Sequence, residues 1–361
     1  MPGFSFDVLV VGGGVIGASI AWRLARQRTR VMLLDVKSIG AEASSAAAGM
    51  LTPPSELESS SPMWEFALKS LAQYPDFVAE LESDSHCSVD LRHSGAVEVA
   101  YTEDEFQSLA GRASSLRHYD VRSHILSGRQ ARELAPLLRD DVLGGIHYPD
   151  DLTVDPEALM KALSTACLDR GVFLVEGAPV VSLEANAEGV KASIPGRAFE
   201  GEFGVIAAGA WSQDISVSID GQPHPTPASF PVKGHLVGYR LAAGSLGATV
   251  RHADTYVLQR AGGFTIAGSS IEKVAYDRSI NQQIVADIRA RATVLLPSLD
   301  GLEPERVWTG FRPATPTGRP EVGRIANSRI WLAYGHYRNG VLLAPATADR
   351  VSEDIRSVLS G

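Results

Sequence analysis

Residues 6–50 read FDVLVVGGGVIGASIAWRLARQRTRVMLLDVKSIGAEASSAAAGM, and this stretch decides the fold. Residues 6–11 are a short, β-branched apolar run of the kind a fully buried parallel strand needs. Gly12, Gly14 and Gly17 follow at once in the spacing GxGxxG, with Val15 and Ile16 between the last two. The first glycine permits a tight turn, the second lets a pyrophosphate approach the backbone, and the third lets the helix pack on the strand. Residues 18–28 read as that helix, with Ile16, Ile20 and Leu24 on one stripe. Its free N–H groups and positive dipole end would face the phosphates. Residues 31–34 are a second strand that ends in Asp35, placed to accept hydrogen bonds from ribose hydroxyls, with Val36 after it. An acid there opposes NADP, whose 2′-phosphate it would repel, and leaves NAD and FAD. A lone GxGxxG is weak, but strand, helix, strand and acid in register define a dinucleotide site.

Residues 40–50, GAEASSAAAGM, are dense in small side chains and hydroxyls. The backbone of Ala43, Ala48, Gly49 and Met50 could lie against an extended cofactor, and Ser44 and Ser45 could hydrogen-bond its phosphates or ring edge. Taken alone, the same residues also suit a flexible loop with a helix start.

A chain of 361 residues exceeds one ordinary core, so two interleaved domains are expected. The formal charge of −9 gives no reason to expect nucleic acid or an anionic membrane as partner. Cys87 and Cys167 stand far apart, with no CxxC or metal-ligand spacing, which suits a reducing cytoplasm and no metal. No Lys or Arg precedes Arg23, no signal-peptide layout is present, and no apolar run approaches the roughly 20 residues of a membrane span. The expectation is a soluble cytoplasmic protein.

Along the chain, residues 51–64 (LTPPSELESSSPMW) read as a loop, 66–82 as a helix, and 89–101 turn to strand character. Residues 103–118 and 128–138 read as helices and 143–148 as a strand. Asp155 is a good N-cap with Pro156 at the first helical position, and Gly171 ends that helix. Strands follow at 172–176, 180–184 and 204–207, the last leading into Ala208-Gly209-Ala210. That small-residue turn allows close approach of a cofactor or a neighbouring strand; a plain tight turn fits it equally. From 224 to 306 the runs HLVGYRL, TYVLQR and GFTIAGSSI, with a hairpin turn at 260–263, predict an antiparallel sheet. A helix is expected at 281–296, a strand at 330–334 and a last helix at 341–359.

Arg312 stands in GFRPATP, where its planar fork could clamp a carboxylate; a surface or ion-paired arginine fits the residues as well. In the run His336, Tyr337, Arg338, Asn339, Gly340, Val341 and Leu342, backbone N–H groups and a positive helix end would suit the negative charge of a reduced flavin. A helix cap explains only part of that run. Tyr256 in TYVLQR, on residues alone, suits packing. His235, His252 and the two cysteines read as structural.

Four stretches, SSAAAGM (44–50), PVKGH (231–235), GFRPATPTGRPEVG (310–323) and GHYRNGVLLAPAT (335–347), resemble the D-amino-acid oxidase superfamily of FAD enzymes and, within it, the glycine oxidases of thiamine biosynthesis. The resemblance spans both ends of the chain and is weakest over 57–150. It implies an α/β (α+β two-domain) fold, a Rossmann-like FAD-binding domain interleaved with an antiparallel-sheet substrate domain. The first would take residues 1–88, 151–222 and 310–361, the second 89–150 and 223–309. It places the adenosine end of FAD against the backbone of Val180, a small-residue turn at Gly209 beside the cofactor, and the 336–342 loop around the flavin ring. It implies that Arg312 binds the amino-acid carboxylate, that the Tyr256 hydroxyl reaches the same group, and that Arg338 lies near the substrate. Two departures stand out. Ile271 occupies a position where the glycine oxidases carry a methionine facing the substrate, and Asp35 replaces the usual Glu. With no cysteine in the C-terminal half, a thioether link there is impossible, so FAD is expected to be non-covalent. The activity implied is FAD-dependent oxidative deamination of glycine and small amines or D-amino acids by hydride transfer to flavin. O2 is the acceptor; a 2-oxo acid (glyoxylate from glycine), ammonia and H2O2 are the products, and thiamine thiazole synthesis is supplied. The alternatives are a D-amino-acid or sarcosine oxidase, a dehydrogenase with another acceptor, and an FAD-binding module without turnover. The resemblance also implies a homotetramer.

Overall fold

The structure is a computed structural model that describes residues 6–53, 61, 63–119 and 121–359; most of the loop expected at 51–64 lies outside the described residues. Its first strand, Val8–Val11, is buried along its whole length and pairs in parallel with Val31–Leu34 on one side and Phe203–Ile206 on the other. Side-chain alternation explains why the run is apolar throughout. Val8 and Val10 enter one core with Trp22, Phe77, Leu163 and Leu343, while Leu9 and Val11 enter another with Leu183, Val217 and Ile330. A strand covered on both faces has no position for a polar residue.

The six-stranded sheet built on it runs Glu321–Arg324, Ile330–Tyr334, Phe203–Ile206, Val8–Val11, Val31–Leu34, Phe173–Val175 and is parallel except at the first edge. Helices Val15–Arg26, Trp64–Ser85, Pro156–Asp169 and Gly340–Leu359 cover one face, and a five-stranded sheet lies over the other. The Pro156–Asp169 helix starts as expected, with the Asp155 carboxylate accepting the Glu157 N–H at 2.9 Å. Among the described residues no helix is long and apolar enough to cross a membrane.

An eight-stranded sheet forms the second layer system. Its order is Arg306–Ala314, Phe230–Arg240, Phe264–Gly268, Thr255–Gln259, Thr249–His252, Ala96–Ala100, Gly144–Tyr148, His124–Ser127. All its pairings are antiparallel except that of Thr249–His252 with Ala96–Ala100. The helix Gln282–Leu295, capped by the Asn281 side chain, lays Ile288, Ala292 and Leu295 on this sheet.

Two boundaries expected from sequence fall inside pairings. Arg306–Ala314 belongs to the eight-stranded sheet, since it pairs with Phe230–Arg240 from Phe230↔Ala314 to Gly238↔Arg306, so a division at 310 cuts a strand. Leu91–Arg92 pairs with Leu152–Val154, and those with Met50–Leu51, so residues just past 89 stay with the small sheet next to the glycine loop. In both places hydrogen bonding to distant strands, which local composition does not report, sets the edge.

Candidate active site

The glycine loop has the geometry its spacing predicts. Gly12 sits at φ +107°, and a Cβ there would lie 2.3 Å from the Ala207 carbonyl oxygen. A Cβ on Gly17 would lie 1.9 Å from the Gly12 carbonyl oxygen, so strand and helix touch at that point. Gly14 differs: a Cβ there would meet only the Ser44 hydroxyl, at 3.2 Å. That opening is what a phosphate needs in order to reach the backbone. Ser44 Oγ accepts the Val15 N–H at 2.8 Å and so caps the first helix from 29 residues away.

Asp35 has a role within the fold itself. Its Oδ2 accepts the Gly13 N–H at 2.6 Å and its Oδ1 the Lys37 N–H at 2.7 Å, which ties the glycine loop to the strand end. Burial raises its pKa, and the two backbone donors oppose that rise.

A cleft of about 550 Å³ begins at this loop, within the size range of small-molecule sites. Gly12, Gly14, Val15, Ile16, Asp35 and Val36 line its first part. Ala43, Ser44, Ala48, Gly49 and Met50 line it too, as do Val180 and Gly209. Tyr256 and Arg312 line its far part together with His336, Tyr337, Arg338 and Asn339, and the N-terminal residues Gly340 and Val341 of the last helix also face it.

Four expected residues stand apart. Gly17 packs behind the loop. Ser45 is half-buried outside the lining, and Leu342 is buried in the helical core, where its carbonyl accepts the Ser70 hydroxyl at 2.7 Å. Ile271 is 56% exposed and is not among the described residues lining the cleft. The strand before it ends at Gly268, and Ser269 lines the cleft.

Arg312 pairs with Val232 across two strands, and its guanidinium crosses over Gly234. Its Nη1 donates to the Ser270 carbonyl at 3.0 Å and the Lys233 carbonyl at 3.4 Å, and its Nη2 to the Ser269 hydroxyl at 3.0 Å. Tyr256 is buried opposite Gly268, where a Cβ would lie 2.5 Å from the phenol oxygen. Arg338 is exposed in the single turn Tyr337–Asn339 that precedes the last helix. His336 beside it is buried, with Nε2 at 3.1 Å from Thr347 Oγ1, and burial pushes its pKa down to about 3, so the ring is neutral at pH 7.

Trp211 and Arg278 also line the cleft and were not expected there. Trp211 stacks on Tyr276 with ring centroids 5.1 Å apart. Arg278 lies over the Phe311 ring at 5.0 Å and donates to Glu42 at 2.8 Å. Trp211 directly follows the Ala208-Gly209-Ala210 turn, a signal that could have found it; Arg278 sits in a stretch with no motif.

The open Gly14, the capped helix start and a second helix start at the far end suit an extended dinucleotide with a ring system held near Arg312. Fold and cleft together define a dinucleotide-dependent enzyme whose second sheet brings an arginine and a tyrosine into the same cleft. The chain belongs to the FAD dependent oxidoreductase family, whose sequence pattern matches residues 7–353, and its cofactor is FAD. It is 33% identical over 351 residues to the glycine oxidase of Geobacillus kaustophilus, covering 96% of this chain and 92% of that one. The crystal structure of that enzyme superposes with a TM-score of 0.89 at 32% identity, over 98% of this chain and 95% of the other. The glycine oxidase of Bacillus cereus superposes at 0.91 with 28% identity, over 98% of both chains. A bifunctional protein ThiO/ThiG of Synechocystis sp. is 33% identical over 96% of this chain, which spans 51% of that protein.

Proposed function

We propose that this chain oxidatively deaminates glycine and comparably small amines or D-amino acids, releasing a 2-oxo acid, ammonia and H2O2. The observation that carries this reading is that Arg312 and Tyr256 line the same cleft as the open glycine loop. Likeness to the glycine oxidases supports the choice of substrate class. FAD, when bound, supplies a two-electron acceptor for a hydride from the α-carbon and returns the electrons to O2.

The side chains bind and orient. Arg312 presents a fork to the carboxylate, Tyr256 adds its hydroxyl, and Arg338 contributes positive charge at the mouth. The cleft's imidazole, His336, is a very weak base, and Asp35 is engaged with the glycine loop. The rate then rests on holding the α C–H in line rather than on a side chain removing a proton. The same reading takes FAD as non-covalent, the protein as a cytoplasmic homotetramer, and its product as a supply for thiamine thiazole synthesis.

The test is Arg312→Ala. The KM for glycine should rise about a hundredfold, as loss of a charge-assisted bidentate contact requires. A variant with KM and kcat little changed would remove the clamp assignment. Anaerobic mixing of the holoenzyme with glycine, sarcosine, D-alanine and D-proline, followed by air, sorts the remaining readings. Bleaching by glycine with peroxide on reoxidation supports the proposal. Bleaching only by a larger amine moves the assignment to that amine's oxidase, and bleaching without peroxide indicates a dehydrogenase.

A further inference from the structure

Behind Arg312 lies a buried polar cluster that the binding site does not use directly. His235, with 0% exposure, stands on the strand Phe230–Arg240, one residue beyond the Gly234 over which the guanidinium passes. Its Nε2 accepts the Asn281 N–H at 3.0 Å, so the ring proton sits on Nδ1. From there it donates to Glu272 Oε1 at 2.8 Å. The Ser270 hydroxyl donates to the same carboxylate oxygen at 2.7 Å and accepts the His235 backbone N–H at 2.9 Å. A pair of backbone bonds between Lys233 and Glu272, each 2.9 Å, closes the cluster.

Its product is the placement of one short turn. After Gly268 the chain leaves the sheet, and no ladder holds residues 269 and 270. Yet these two supply the Ser269 hydroxyl and the Ser270 carbonyl to which Arg312 donates. The third acceptor, the Lys233 carbonyl, also takes the Glu272 N–H. We propose that His235, acting through Glu272 and Ser270, is a positioning residue for the Arg312 clamp: it fixes the turn that aims the guanidinium at the substrate carboxylate. The inference rests on the carboxylate-binding reading of Arg312.

The experiment uses holoenzyme of wild type, His235→Leu, His235→Asn and Ser270→Ala. Acetate binding is read from perturbation of the flavin spectrum, and turnover is measured on glycine and on glycine ethyl ester, which lacks the carboxylate charge. In His235→Leu and Ser270→Ala the acetate Kd and the glycine KM should rise about tenfold, the scale of one lost hydrogen bond to a charged system. Glycine kcat and turnover of the ester should stay within about twofold of wild type, since a misaimed clamp weakens carboxylate binding alone. His235→Asn keeps a donor toward Glu272 and should recover most of the affinity. Ser270→Ala removes one hydroxyl from a half-buried turn and gives the reading even if His235→Leu does not fold. Variants that bind acetate as wild type does would overturn the positioning role while leaving the clamp intact. A loss shared equally by glycine and its ester would overturn it too, because that marks general disorder. Wild type that fails to bind acetate would remove the clamp reading and this inference together.

Discussion

Gly234 lies directly beneath Arg312: a Cβ built at 234 would sit 2.3 Å from one terminal nitrogen of the guanidinium and 2.5 Å from the other. The glycine is therefore the floor on which the arginine rests. The atoms it would strike belong to the flexible end of a side chain, so a larger residue displaces the arginine and leaves the strands in place.

Gly234→Ala should thus separate binding from stability. The KM for glycine should rise by about tenfold or more, a shift of at least roughly 1.4 kcal/mol, while Tm and flavin content stay near wild type. Steady-state kinetics beside a thermal melt checks this. A large fall in Tm with unchanged KM would show that strand packing, not the arginine, needs the glycine.

Gly14 and Gly17 should respond to alanine in opposite ways. At Gly17 the new methyl meets the Gly12 carbonyl, backbone that cannot step aside. Overpacking of this kind costs about 1–3 kcal/mol, so Gly17→Ala should lower Tm by several degrees even without cofactor. At Gly14 the methyl meets only the Ser44 hydroxyl. Gly14→Ala should melt near wild type as apoprotein but bind FAD at least about tenfold more weakly, since the methyl takes phosphate space. Apoprotein melts and flavin titration distinguish the two.

These contrasts show what could be read from sequence and what could not. Gly12, Gly14, Gly17 and Asp35 were legible because the turn, the close approach and the acid lie within one βαβ unit, where spacing is geometry. Arg312 was legible only as a residue type. The Arg312 guanidinium lies where it does because Gly234 on the neighbouring strand and the Ser269–Ser270 turn beyond Gly268 come to it from elsewhere in the chain, and no local pattern reports that meeting. Ile271 was taken from the resemblance alone, and it lies beyond the end of the strand at Gly268 with its side chain exposed, a placement that no local pattern reports. Likewise the boundary at 310 followed a motif, while the hydrogen bonds follow the strand.

Asp84 offers a test of stability away from the cleft. Its buried carboxylate accepts the Trp22 indole N–H at 2.9 Å and Arg170 Nε at 3.0 Å, with Arg26 Nε at 3.2 Å. It joins the first helix, the Trp64–Ser85 helix and the end of the Pro156–Asp169 helix. Asp84→Ala leaves an indole and two guanidinium groups without that acceptor, and removing one member of such a cluster costs about 3 kcal/mol. The Tm should fall by several degrees, with the KM for glycine unchanged in protein that remains folded.

His336 sets part of the acid limit of the fold. Its ring is buried beside the cleft and its pKa is pushed from 6.5 down to about 3. The folded state therefore holds the ring neutral, whereas the unfolded chain takes up a proton below about pH 6.5. Between these values the unfolded state binds more protons, so stability falls as pH falls, by up to about 1.4 kcal/mol per pH unit from this group. Below about pH 3 both states are protonated and the loss levels off. His336→Asn removes the ionisation and, if the amide reaches it, retains a hydrogen bond to Thr347. Melts of holoenzyme from pH 7.5 to 4 should give a shallower decline for the variant, with the two curves converging toward low pH even where the variant is less stable at pH 7.5. Parallel curves would mean that carboxylates elsewhere, and not this imidazole, set the acid limb.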